Sequence, residues 1–136
     1  TAIYVLLKRI DSFNQHDLGK LQQIDTVSRN LSQQQFTSWL ANYSNFTLRY
    51  VEIQTADATT ITGTCWYTRE LANTMTLHGN VELALMNFTL SKTTDGWKLT
   101  DSGYNSVPTT QDTLTAIQEK AKLKYKTDNL ALILQI

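Results

Sequence analysis

Apolar positions along the chain follow two rhythms, and the change falls near residue 44. Before it they recur every three or four residues. After it they alternate. Ile3, Leu6, Leu7, Ile10 and Phe13 keep helical spacing with Lys8, Arg9 and Asp11 between them, which predicts a helix over residues 1–15. Asn14-Gln15-His16 interrupts that pattern, and Asp17 is placed to cap a short second helix carrying Leu18, Leu21 and Ile24. Ser32 and Gln35 match a capping box, in which the two side chains satisfy each other's free backbone N–H groups. Phe36, Trp39, Leu40 and Tyr43 then predict a third helix over 33–43.

From Ser44 onward Val, Thr, Ile, Tyr and Trp dominate, the residues strands prefer. Four strands are expected, over 46–55, 59–71, 75–91 and 96–104. Asp95-Gly96 before Trp97 is the strongest hairpin signal in the chain. A three-residue loop at 72–74, with Asn73 in a left-handed backbone position, would set Leu71 against Met75, Cys65 against Val81 and Ile61 against Leu85. That register matches apolar to apolar, with Leu77, Val81 and Leu83 on the helix-covered face. The apolar set changes parity twice: from Phe46, Leu48 and Tyr50 to Val51 and Ile53, and from Leu85 to Met86, Phe88 and Leu90. A β-bulge in each strand would produce both changes and bend the sheet.

Past Val107-Pro108 the pattern divides. Thr109 or Thr110 could cap a helix carrying Leu114, Ile117 and Ala121, yet Lys120, Lys122, Lys124 and Lys126 alternate with apolar residues as in a strand. Both forms stay open. Residues 130–136 are too apolar to hang free and should dock on something. The reading is an α+β fold, N-terminal helices on a curved antiparallel four-stranded sheet. It has a cone-like domain over 1–106 and a C-terminal extension over 107–136 that docks on the domain or on a partner.

Composition narrows the function classes. Twelve Lys+Arg balance twelve Asp+Glu, whereas proteins that grip nucleic-acid phosphates carry a basic excess, so nucleic acid is not an expected partner. No apolar run approaches the roughly 20 residues that span a bilayer. The chain begins at Thr1 rather than Met, as a processed protein or excised domain would. Its Thr-, Asn- and Gln-rich, charge-poor make-up points to an extracytoplasmic setting. The Asn-x-Ser/Thr sequons at Asn30, Asn42, Asn45 and Asn87 are what chance supplies in such a chain. The single cysteine, Cys65, excludes an internal disulfide and suits a buried apolar role.

Two stretches carry a family likeness. Asn14-Gln15-His16-Asp17-Leu18, followed by Leu21, is similar to the short joint between the first two helices of the nuclear transport factor two-like superfamily, whose cone-shaped domains are also called cystatin-like. Phe88-Thr89-Leu90 running to Asp95-Gly96-Trp97-Lys98-Leu99 resembles that family's final hairpin. The likeness covers about residues 1–105, and the tail from 109 departs from it. It implies one of two roles. Enzymes resembling ketosteroid isomerase or polyketide cyclases place Asp, Tyr, His or Arg inside the cone. Accessory, dimerisation or partner-binding modules do not. The link from the second helix straight to a third helix, and then Tyr43-Ser44-Asn45-Phe46-Thr47-Leu48, looks more like the accessory branch.

Candidate chemistry is sparse. His78 and Glu82 share a strand face but start roughly 13 Å apart, too far for a direct acid–base pair. His16 sits at a helix joint as a capping or surface residue. With two histidines lacking ligand spacing and one cysteine, neither a metal site nor a cofactor is expected. Trp66 lies opposite Cys65 in parity, among Thr62, Thr64 and Thr68. A large aromatic on a threonine-rich face is covered by the tail, stays exposed singly, or is an interface anchor. Trp39, Tyr43 and Trp97 belong to the core. The expected function is therefore a non-catalytic binding or assembly module, part of a larger or membrane-associated protein. Its open sheet face, through Trp66, Thr64, Thr68 and His78, meets a protein partner or a second copy. The alternative is a small-molecule isomerase, dehydratase or cyclase, for which Tyr4, Tyr50 or Asp57 would have to face the cone interior.

Overall fold

The computed structural model describes residues 2–72, 81–106 and 111–125. Three helices come first: α1 (Tyr4–Asn14), α2 (Leu18–Ile24) and α3 (Gln33–Leu40). Local chemistry sets their ends. His16 carries a φ of 54° just past α1, its N–H donating to the Phe13 carbonyl at 3.2 Å. Asp17 accepts from the Lys20 N–H at 3.0 Å and starts α2. The Ser32–Gln35 box is complete, at 3.1 Å and 2.9 Å. The third helix stops at Leu40 instead of 43, because Tyr43 already pairs with Leu71 as the first residue of a strand.

Four strands follow: β1 (Tyr43–Ala56), β2 (Thr60–Leu71), β3 (Val81–Thr93) and β4 (Gly96–Ser106). They form one curved antiparallel sheet in the order β1-β2-β3-β4. A last helix, α4 (Gln111–Tyr125), follows the sheet and resolves the ambiguity of that stretch in favour of a helix. At the β3–β4 turn, Thr93 pairs with Gly96, and Gly96, at φ 107°, takes up the positive backbone angle after Thr94-Asp95.

The inner face of the sheet meets α1–α3. Val5, Leu6, Ile10 and Phe13 of α1, Leu21 of α2, and Phe36 and Leu40 of α3 close on Phe46, Leu48, Cys65, Tyr67, Met86, Phe88 and Leu90. Trp39, Tyr43 and Trp97 pack at its margin. Asn14 links the layers: its side-chain amide donates to the Phe46 carbonyl and accepts the Phe46 N–H, both at 2.8 Å. This pairs part of an edge strand that would otherwise stay open. The other edge is held by Asp25, which bridges to Leu99, and by Thr26, whose hydroxyl donates to the Leu99 carbonyl at 3.1 Å.

The expected bulge in β1 is present. Leu48 pairs with Tyr67 but Tyr50 with Trp66, so Arg49 is the extra residue that sends Tyr50 outward and Val51 inward. An earlier irregularity places Asn45 at φ 51°, its side chain donating to Glu70 at 2.7 Å. Gly63 permits the strand to bend: a Cβ there would collide with the Glu52 carbonyl oxygen and lie 2.8 Å from the Phe88 ring.

The β2–β3 register differs from expectation. Cys65 pairs with Met86, not Val81, and Ile61 pairs with Leu90, not Leu85. Glu70 pairs with Val81, so the tight loop at 72–74 does not set this pairing, and the expected Leu71–Met75 pair lies outside the described residues. The offset is an odd number of residues, so the faces of β3 exchange. Ala84, Met86, Phe88 and Leu90 face the helices, and Leu83 faces outward beside Thr68. No bulge interrupts the β2–β3 pairing, and the parity change within β3 arises because two faces are buried. Leu83 forms a second cluster with Tyr50 and Ile117, on which Trp66 and Leu114 pack. The bulge lies instead in β4, between the Leu99 and Asp101 pairings.

Cys65 is fully buried on the inner face, and that burial pushes its thiol up to about 12, against the opposing pull of Arg9. An unfolded thiol titrates near about 8.5. Between those values the folded chain keeps a proton that the unfolded chain has lost. Stability therefore falls as pH rises, by up to about 1.4 kcal/mol per pH unit. Urea titrations at pH about 8 and about 10 should show that loss, and Cys65→Ala should make it smaller. Equal losses in the two proteins would contradict the assignment.

Candidate functional site

Two places gather polar or aromatic groups, one on each side of the sheet. On the inner side Arg69 continues the inward parity of Cys65 and Tyr67, and the face it enters is aromatic. Its guanidinium carbon lies 3.9 Å from the Tyr43 ring centre, 5.4 Å from that of Tyr104 and 6.0 Å from that of Trp39, within the range of cation–π attraction. Its direct cross-strand neighbour is Glu82, and Nη2 donates to Glu82 Oε1 at 2.7 Å. The same nitrogen donates to the Tyr104 hydroxyl at 2.7 Å, and that hydroxyl donates to Glu82 Oε1 at 3.0 Å. Burial works against the arginine's charge, but Glu82 and the phenols of Tyr67 and Tyr104 raise its pKa on balance. Burial likewise pushes the Tyr67 and Tyr104 phenols up and keeps them protonated.

Deeper on this side, Arg9 Nε stands 3.5 Å from Asp25 Oδ2. Asp25 is buried and also accepts from the Val27 N–H and the Ser28 hydroxyl, each at 2.9 Å. The Arg9 and Arg69 Nε atoms are buried and complete no hydrogen bond. Around these groups the interior is filled: Phe13 packs 5.0 Å from Phe46, 5.1 Å from Trp39 and 6.4 Å from Phe36, centre to centre.

On the outer side Trp66, Thr64 and Thr68 share one face, as their parity requires. Thr68 is buried beside Leu83, and its hydroxyl accepts from Arg49 Nε at 3.0 Å. Trp66 is half-buried between Tyr50 of β1 and Leu85 of β3, and Thr64 is half-buried between Glu52 and Asn87. α4 crosses part of this face, with Leu114 and Ile117 on the Tyr50–Leu83 cluster and Lys120 Nζ 5.3 Å from the Tyr50 ring centre. His78 lies outside the described residues.

Tyr4, Tyr50 and Asp57, the alternatives for a group facing the cone interior, lie in three different places. Tyr4 borders a surface groove with Lys8, Ile24 and Trp97. Tyr50 belongs to the outer cluster. Asp57 sits in the β1–β2 turn, where the Thr59 and Thr60 N–H groups, each at 2.8 Å, hold its carboxyl below the usual range. The described residues contain no group of three or more His, Cys, Asp or Glu able to hold a metal ion. Among them no helix is long and apolar enough to cross a membrane. The Arg69 cluster went unread in the sequence although a signal existed: a charged residue on the inward parity of Cys65 and Tyr67 must be paired or pay for its desolvation.

No protein-family model matches the chain, and no curated protein sequence matches it either. Solved structures do. A nuclear transport factor two-like superfamily protein from Salmonella enterica serovar Typhimurium aligns with a TM-score of 0.57 at 12% identity, over 79% of this chain and 89% of that one. A candidate dehydratase of the same family from Streptomyces avermitilis aligns at 0.58 and 15% identity, over 78% and 93%. A member with a cystatin-like fold from Novosphingobium aromaticivorans aligns at 0.55 and 11% identity, over 84% of each chain.

Proposed function

Starting from a nuclear transport factor two-like fold, we propose that this chain is a non-catalytic binding and assembly module that docks a protein, a second copy of itself first among the candidates, through the outer sheet face. The observation that carries this reading is the division of labour between the two faces. The inner face is occupied by Phe13, Phe36, Leu40 and Phe46, and its charges are matched, Arg69 with Glu82 and Arg9 with Asp25. On the outer face α4 covers the Tyr50–Leu83 end, while Trp66, Thr64 and Thr62 stay half-buried and Asn87 exposed. Glu52 and Asp101 lie exposed at the margins of that strip. An uncharged centre with an aromatic anchor and a charged rim is the usual anatomy of an interface. Few charges need to be stripped of water to close it.

Thr64→Cys tests the pairing. If two outer faces meet near Trp66, mild oxidation should yield a disulfide-linked dimer through residue 64, with the buried Cys65 unreacted. A variant that stays monomeric under oxidation would count against self-docking through this face.

A second reading, catalysis inside the cone as an isomerase, dehydratase or cyclase, has its own support. Two buried guanidinium nitrogens there lack hydrogen-bond acceptors, and a ligand oxygen could supply them. One structural neighbour is described as a candidate dehydratase. Against it stand the aromatic filling and the engagement of Glu82 by Arg69 and Tyr104.

A further inference from the structure

We propose a second, small-molecule site between α4 and the outer sheet face that takes a short-chain organic carboxylate, its acid group on Arg49 and its hydrocarbon body against Leu83, Leu114 and Ile117. A cavity of about 220 Å³ lies there. Leu83, Leu114 and Ile117 supply its apolar wall, Gln111 and Gln118 of α4 its amides, and Arg49 its charge. Among the described residues no acidic side chain lines it, so of these an anion entering meets the Arg49 cation and no opposing carboxylate.

Three features fit the ligand class. First, Arg49 is the bulge residue of β1, and the bulge takes it out of the strand's regular alternation. Its Nε donates to the buried Thr68 hydroxyl at 3.0 Å. That bond fixes the plane of the guanidinium, and among the described residues it is the hydrogen bond Arg49 makes. The two terminal nitrogens of a guanidinium match the two oxygens of a carboxylate, and a fork already held in place loses less freedom on binding. Second, the opposite wall is aliphatic, which suits a hydrocarbon body and disfavours phosphate or sulfate. Third, the volume is below the roughly 300–1,000 Å³ common for drug-sized ligands, so the acid must be small. The site is on the far side of the sheet from the cone interior, and it is independent of self-docking: it needs α4 seated, not a second copy.

The test is a ¹H–¹⁵N NMR titration of the whole chain with hexanoate, hexanamide and hexylamine. Hexanoate should shift the amides of Arg49, Leu83, Leu114 and Ile117 in a saturable way, with the amide and the amine far weaker. Arg49→Gln should weaken hexanoate about tenfold or more, as loss of a charge-assisted contact does. Arg49→Lys should weaken it less, and Leu114→Phe should block it by filling the cavity. Thermal melts of each variant separate lost binding from lost folding. No saturable shift, equal binding of the three probes, shifts scattered over the surface, or full affinity in a folded Arg49→Gln variant would each overturn the site.

Discussion

Asp25→Ala is expected to remove about 3–5 kcal/mol of stability, the loss seen when one partner of a buried ion pair is deleted. Asp25 is 1% exposed and gathers three separate parts of the fold. Its carboxylate faces Arg9 of α1, caps the turn at Thr26–Ser28 through the Val27 N–H, and accepts the Ser28 hydroxyl. Its backbone bridges to Leu99 on the outer edge of β4. Alanine would leave the Arg9 guanidinium buried without a countercharge and the turn without its cap. Asp25→Asn keeps a capping oxygen and should cost less. Urea unfolding followed by circular dichroism measures both, and a loss below about 1 kcal/mol for alanine would show that Arg9 finds water or another acceptor.

Leu83→Ala should cost about 2–5 kcal/mol, the range for a buried leucine truncated in a core. The side chain is fully buried although it points away from α1–α3. Its burial therefore comes from Tyr50, Trp66 and α4 through Leu114 and Ile117. The truncation should speed amide exchange in α4 more than in α1. A cost under about 0.5 kcal/mol would mean that α4 does not sit on the sheet in solution.

Much of this fold was legible because short-range chemistry determines it. The Ser32–Gln35 box, the Asp17 cap and the Asp95-Gly96 turn each depend on residues within a few positions of one another, and each formed. The β1 bulge was legible for a related reason, though not its position: the pattern put the change between Tyr50 and Val51, whereas the extra residue is Arg49 and Tyr50 faces outward. The β2–β3 register was not legible. Apolar alternation fixes a register when one face is wet, but Leu83 and Ala84 are adjacent and both fully buried. With both faces covered, a face-exchanging shift still matches apolar to apolar, and the difference lies in α4, whose packing the local pattern does not encode. The same gap hid the cavity at Arg49, which exists only once α4 crosses the sheet. On the inner side, the parity of Arg69 announced its direction, while its cage of Tyr43, Tyr104 and Glu82 comes from three distant segments. Trp66 and Thr64 were placed on one outer face correctly, and Thr68 shares it but is already engaged by Arg49.

Sedimentation velocity over a rising concentration series shows directly whether the outer sheet face is the working surface. The unmodified chain is expected to pass from monomer to dimer, and Trp66→Glu to remain a folded monomer, with a lowered melting temperature because Trp66 also packs on the Tyr50–Leu83 cluster. A chain that stays monomeric at every concentration would contradict self-docking through that face.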